Sequence, residues 1–211
     1  LVGAYEAAAG VDVEVAIYDF GAIKEDVSTA GPAGEGPDLF IGPHDMVGEV
    51  VTNGLVSPID LGSIQSDIFD VGISAFSVGG EVYGFPYATE AIAMFYNSDL
   101  VDGVPSTWEE VKAACDAAGT ELCVAAPGGG GGGDAYHNIP FVQSDGGYIF
   151  KFDGGFDPSD VGLDNASALA SAEFLDSLVK NGTVASTDYG GSMSAFQEEK
   201  SLFWMTGPWA R

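Results

Sequence analysis

The chain has 211 residues, enough for one domain of ordinary size or two small lobes with a sizeable core. Apolar residues make up 46% of it, which excludes wholesale disorder. Six basic against 32 acidic residues leave a net charge of -26, which excludes a nucleic-acid footprint, disfavours anionic lipid surfaces and reads first as a solvated acidic surface.

Residues 1–9 read as a helix stopped by Gly10. VDVEVAIYD (11–19) alternates Val11, Val13, Val15 and Ile17 with polar or small residues, which predicts a half-buried strand. A turn-rich connector (31–38) leads to DLFIG (38–42), a short apolar run of the kind a parallel sheet buries on both faces. Residues 49–60 read as a helix end, a turn at Asn53-Gly54 and a return segment. Residues 79–97 are strand-rich, with a Gly-Gly turn first and a bend or edge at Pro86.

PSTWEEVKAACDAAG (105–119) is marked as a helix at both ends, by the Thr107/Glu110 capping box and by Gly119. LCVAAP (122–127) reads as the following strand and the six glycines 128–133 as a loop. A second long helix is predicted over 164–182, with Leu169, Ala172, Leu175 and Val179 as its apolar stripe. A third is predicted over 192–200, and SLFWMTG (201–207) as a buried strand ending in a turn. Helices alternate with strands, so the class is α/β. The chain opens inside a helix and stops at Arg211, so both ends read as cut, and the lack of a signal peptide says nothing of compartment.

The glycine run is no phosphate loop, because Asp134 follows it where a Gly-Lys-Ser/Thr would be needed. His44 and His137 have no helical His partner, and Cys115 and Cys123 form no C-x-x-C, so neither set predicts a metal. Cysteines eight positions apart are equally compatible with a bridge and with two free thiols. The many carboxylates make any glycosidase pair a weak signal. Aromatic residues beside acids and turns are more telling: PHDM (43–46), YATE (87–90), DAYHN (134–138), TDYGG (187–191) and GPWA (207–210). Each marks a break between regular elements, where α/β proteins bind ligands. A ring covers the C–H face of a pyranose and a carboxylate takes its hydroxyls, so this mixture suits a sugar.

At these segments the sequence resembles the maltose/maltodextrin-binding proteins, solute-binding subunits of ABC sugar importers. The likeness runs in order through GPDLFIGPHD (36–45), GFPYATEAIAMFYNSDL (84–100), PSTWEEV (105–111), SDGGYIFKFDGGFDPSDVGLDNASA (144–168), LVKNGTVASTDY (178–189) and AFQEEKSLFWMTGPWA (195–210). It covers roughly the first three-fifths of a mature member. The resemblance implies a periplasmic-binding-protein type II fold, here incomplete. Its two hinged lobes would be a first over 1–90 that lacks its opening strand and a second over 91–211 that is truncated. It implies capture of malto-oligosaccharides or a related sugar without catalysis or cofactor, and delivery to the permease subunits of an ABC transporter. The place implied is extracytoplasmic, periplasmic or lipid-anchored, which favours a Cys115–Cys123 disulfide.

The resemblance carries ligand-binding roles onto Asp45, Glu90, Asp134, Tyr136, Tyr189 and Trp209. Against these stand plainer readings: Asp45 as a helix cap, Glu90 as a hinge ion pair, Trp209 as packing. The family's tryptophan and arginine beside the first-lobe aspartate are Gly42 and Met46 here, and its phenylalanine after the binding-loop tyrosine is His137, so the sugar preferred need not be a glucan. Two rival classes are a glycoside hydrolase acting on a similar glucan through two carboxylates, and a receptor module reporting ligand to a signalling partner.

Overall fold

The structure, a computed structural model, describes residues 1–128, 134–153 and 156–211. The predicted loop over 128–133 therefore lies, beyond Gly128, outside the described residues. The chain divides into two compact units, Leu1–Thr89 and Glu90–Arg211. Together the units hold sheets and helices in alternation, the α/β class predicted from the pattern.

The first unit is built from short helices: α1 (Val2–Ala9), α2 (Ile23–Ala30), α3 (Val47–Thr52) and α4 (Asp70–Ala75). Short 3-10 segments precede α3 (His44–Met46) and α4 (Gly62–Asp67). None of the four α-helices starts on a side-chain cap. Its sheet is a two-residue hairpin, β1 (Ser77–Val78) against β2 (Glu81–Val82), turned at Gly79-Gly80. A small core gathers Ile23, Val27, Met46, Val47, Val50 and Leu61.

Two predicted strands are absent here. Neither 11–19 nor 38–42 forms a ladder with any described segment, and Ile17 and Leu39 stand 96% and 90% exposed. Apolar alternation specifies a strand only where a neighbour supplies backbone partners and a face to cover the side chains.

The second unit carries a four-stranded sheet ordered β3-β8-β4-β7, from β3 (Ala93–Tyr96), β4 (Leu122–Pro127), β7 (Val184–Thr187) and β8 (Ser201–Thr206). Strands β8, β4 and β7 run parallel, and β3 joins β8 antiparallel at the edge. All of β8 is buried, as the unbroken SLFWMT run requires of a strand covered on both faces. Val124 and Phe203 share a cluster with Val111, Cys115, Phe141 and Leu178, from helices α5 (Trp108–Ala118), α6 (Ala135–Ser144) and α7 (Ala166–Lys180). Their register neighbours Ala125 and Trp204 pack with Ala195 and Phe196 of α8 (Tyr189–Gln197). Val124 and Phe203 thus alternate with Ala125 and Trp204 between two clusters, while Cys123 and Leu202 also join the larger one.

Each of these four helices begins on a side-chain cap. Thr107 Oγ1 accepts from the Glu110 N–H at 3.1 Å, Asp134 Oδ1 from His137 at 3.0 Å, Asn165 Oδ1 from Ala168 at 2.8 Å and Asp188 Oδ1 from Gly191 at 2.7 Å. The capping box of α5 closes one residue early, with Glu110 Oε2 accepting from the Ser106 N–H and hydroxyl rather than from Thr107. Those two bonds hold the Glu110 carboxyl below its ordinary range. The helix ends at Gly119, whose φ of 67° is left-handed. Cys115 in α5 and Cys123 in β4 are joined by a disulfide.

The predicted stripe of α7 is out of phase. Leu169, Ala172 and Val179 are exposed, while Ala168, Ser171 and Leu178 are buried and Leu175 half-buried. Glu173, Asp176, Ser177 and Lys180 are exposed on the opposite side of the helix and mark its solvent face. On the buried face the Ser171 hydroxyl donates to the Val142 carbonyl of α6 at 3.5 Å. The third predicted helix starts earlier, at Tyr189, because Asp188 supplies the cap. A hairpin of β5 (Tyr148–Phe152) and β6 (Phe156–Gly162) completes the unit. No carboxylate is buried among the described residues, in keeping with a solvated acidic surface.

Candidate functional site: an aromatic cluster at the strand ends

In the second unit the carboxyl ends of β4, β7 and β8 lie side by side, because these strands are parallel neighbours. Each strand gives way to a cap, a turn or a helix start, which is where open α/β sheets hold ligands. After β7 comes Asp188, which caps α8 and so places Tyr189 at its first position. After β8 comes Gly207, then a 3-10 turn, Pro208–Ala210, bearing Trp209. Beyond β4 stands Asp134, which caps α6 and places Tyr136 and His137 in its first turn.

These residues meet. The Tyr136 and Trp209 rings lie 6.0 Å apart at 42°, and His137 lies 6.0 Å from Trp209 and 5.8 Å from Tyr189. Trp209 Nε1 donates to Tyr189 Oη at 2.8 Å, and Tyr189 Oη lies 3.2 Å from the buried Thr206 hydroxyl. Beneath them, Trp204 packs 5.8 Å from Tyr189, with its Nε1 donating to Ser192 Oγ at 3.0 Å. Ser192 in turn donates to the Tyr189 carbonyl at 2.8 Å. A buried tryptophan thus anchors the tyrosine, and the tyrosine anchors the outer tryptophan. Trp209 remains 40% exposed and Tyr136 54% exposed, so the cluster offers open ring faces on a rigid base.

Gly207 is part of this geometry. The Trp209 indole folds back over it, and a methyl group at 207 would overlap the indole ring. Asp134 does two jobs. Besides capping α6 with Oδ1, it brings Oδ2 to 2.8 Å from His137 Nδ1. Lys24 and Glu49 pair at 2.8 Å in the first unit, which raises the Lys24 value, and no comparable cation stands in the aromatic cluster among the described residues.

The structure therefore brings together Asp134, Tyr136, Tyr189 and Trp209. Asp45 belongs to the first unit, exposed within its 3-10 turn, and caps nothing there, since the N-cap is Pro43. Glu90 opens the second unit, exposed and without an ion pair among the described residues. Met46 is buried with its sulfur against Gly42, so the two departures from the family pattern pack on each other and a side chain at 42 would require Met46 to shift. His137, Trp204, Thr206 and Gly207 complete the cluster and were not singled out as site residues from sequence. Trp204 lay hidden in an apolar strand, whereas the G-P-W turn was a usable signal for Gly207.

A shallow polar depression in the first unit, lined by Gly62, Ser63, Gln65, Ser66, Asp70 and Ile73, offers no ring. No described helix is long and apolar enough to cross a membrane.

Known proteins resemble the chain over nearly its whole length. The galactooligosaccharide-binding protein of Bacillus subtilis (strain 168) is 31% identical over 99% of this chain and 51% of its own length. The maltotriose-binding protein of Pyrococcus abyssi is 30% identical over 94% of this chain and 44% of its own. A maltooligosaccharide ABC transporter solute-binding lipoprotein of Streptococcus pneumoniae is 28% identical over 98% of this chain and 50% of its own. The chain thus spans about half the length of the curated relatives it matches. A model of the bacterial extracellular solute-binding proteins matches residues 1–210. By that match the chain belongs to the family of bacterial extracellular solute-binding proteins.

Proposed function

We propose that the protein captures an oligosaccharide, a malto-oligosaccharide or a galacto-oligosaccharide, and hands it to the permease of an ABC transporter outside the cytoplasmic membrane. The observation that carries this reading is the cluster of Tyr136, Tyr189 and Trp209 at the ends of β4, β7 and β8. Stacking of a pyranose C–H face on Trp209 supplies apolar contact. Carboxylates and hydroxyls around it take the sugar's hydroxyl groups, in a site where an unpaired polar group would be costly. Asp45, Glu90 and Asp134 are the acids we assign to that task. The two compact units are read as the two lobes of a type II binding protein, closing about a hinge near residue 90.

Capture without cleavage is favoured over hydrolysis on two grounds. The relatives are named as binding proteins. Asp134, the carboxylate of the cluster, is committed to a helix cap and to His137, not poised as a proton donor with a partner acid. Calorimetric titration of the whole protein with maltotriose and with galactotriose tests the reading. Saturable binding of either, unaccompanied by new reducing ends and lost in Trp209→Ala, is the expected result. Release of shorter sugars would replace this reading with the hydrolase, and absence of binding to both would refute it.

A further inference from the structure

The His137 side chain is 8% exposed, in the first turn of α6. Asp134 grips it twice, through its backbone N–H at 3.0 Å and through Nδ1 at 2.8 Å. An ionised carboxylate only accepts, so Nδ1 carries the proton, and in the neutral ring Nε2 presents a lone pair. That nitrogen is buried and has no hydrogen-bond partner among the described residues. Native proteins rarely leave a buried polar atom so, because the lost solvation is not repaid. Three rings stand around the imidazole, Tyr136, Tyr189 and Trp209, with centroids 5.6, 5.8 and 6.0 Å away. Trp209 is tied down through a single indole hydrogen bond to Tyr189. Nε2 is buried, so a sugar hydroxyl reaches it only where a covering group shifts.

We propose that His137 is a specificity-determining residue of the site, its Nε2, aimed by Asp134, accepting a hydrogen bond from one hydroxyl of the bound oligosaccharide. This deepens the sugar-capture reading and rests on it. A phenylalanine at 137 would supply ring area alone. A histidine held in one tautomer reads whether a hydroxyl stands at one position, and a sugar lacking it leaves Nε2 unpaired. Discrimination between epimers then comes from one nitrogen.

The test uses the whole protein with maltotriose and galactotriose as probes. His137→Phe keeps a flat ring and removes both nitrogens. We expect about tenfold weaker affinity for the trisaccharide that the wild type prefers, the worth of one hydrogen bond, and a smaller gap between the two sugars. In the wild type, the Nε2 nitrogen resonance of His137 should move on saturation with the preferred sugar, which needs no variant to fold. Equal affinities in His137→Phe and wild type, with an unmoved Nε2 resonance, overturn the role of His137 and leave sugar capture standing. If neither trisaccharide binds the wild type, the sugar-capture reading fails and this assignment fails with it.

Discussion

The helices of the second unit all begin on a side-chain cap, from Thr107, Asp134, Asn165 and Asp188, while those of the first begin on Leu1, Ala22, Met46 and Phe69, which cap nothing. The second unit pairs strands of four to six residues into one sheet, and the first pairs only two short ones. The consequence shows in burial. Leu202, Phe203 and Trp204 are enclosed, while Ile17, Leu39 and Ile41 face solvent. Where capping, strand pairing and apolar pattern agree, each local choice supports the same arrangement, which is the condition for one well-defined packing. Where the apolar pattern stands alone, it does not make a strand. The unit with capped helices and the larger sheet is also the one that holds the aromatic cluster.

The contrast is broken most directly through the core. Trp204→Ala removes the ring under Tyr189 and should cost about 3–5 kcal/mol in chemical denaturation. Leu39→Ala, at a solvent-facing position, should stay within about 0.5 kcal/mol. Equal losses would mean that the two units are packed alike. Next in size is the bridge between α5 and β4. Reducing it should lower stability by about 2–3 kcal/mol, the loop-closure entropy of so short a ring, seen as a drop in Tm with reductant that a Cys115→Ser/Cys123→Ser variant does not show. A reductant-insensitive Tm would exclude the bridge.

Capping sharpens the comparison from both sides. Thr107→Ala should cost about 1 kcal/mol. Phe69, exposed and extended at the start of α4, is a place where a cap can be added, so Phe69→Ser should gain about 0.5–1 kcal/mol. The smallest effect concerns pH. Glu110 is held below its ordinary value first by the Ser106 N–H and then by the Ser106 hydroxyl. Its contribution is therefore complete above the usual carboxylate range and fades as pH falls through the lowered value. A Glu110→Gln variant should flatten the acid limb of the stability profile slightly, and a steeper limb would contradict this cap.

Much of the second unit was legible in the sequence because its signals are local. Thr107 and Gly119 bracket α5, and the runs 122–127 and 201–206 are too apolar to be half-exposed strands. A stripe drawn through apolar residues alone misplaces the face of α7, whereas the exposed Glu173, Asp176, Ser177 and Lys180 place the small Ala168 and Ser171 inward. Segments 11–19 and 38–42 read as strands and are not, because pairing depends on a neighbour that alternation does not announce. In the site, Tyr136, Tyr189 and Trp209 were findable beside acids and turns. His137 lay within the DAYHN segment and showed as a departure from a family pattern, but its bond to Asp134 depends on the capped first turn of α6.

The central claim is that this cluster holds the sugar, with Trp209 as its stacking face. A tryptophan fluorescence titration of the whole protein with maltotriose and with galactotriose tests it most directly, in the wild type and in Trp209→Phe. Trp204 is buried in the core, so a sugar at the cluster should report chiefly through Trp209. The account predicts a saturable emission change with at least one trisaccharide, abolished or greatly reduced in Trp209→Phe. A saturable change of the same size in both proteins would put the sugar elsewhere and contradict the account.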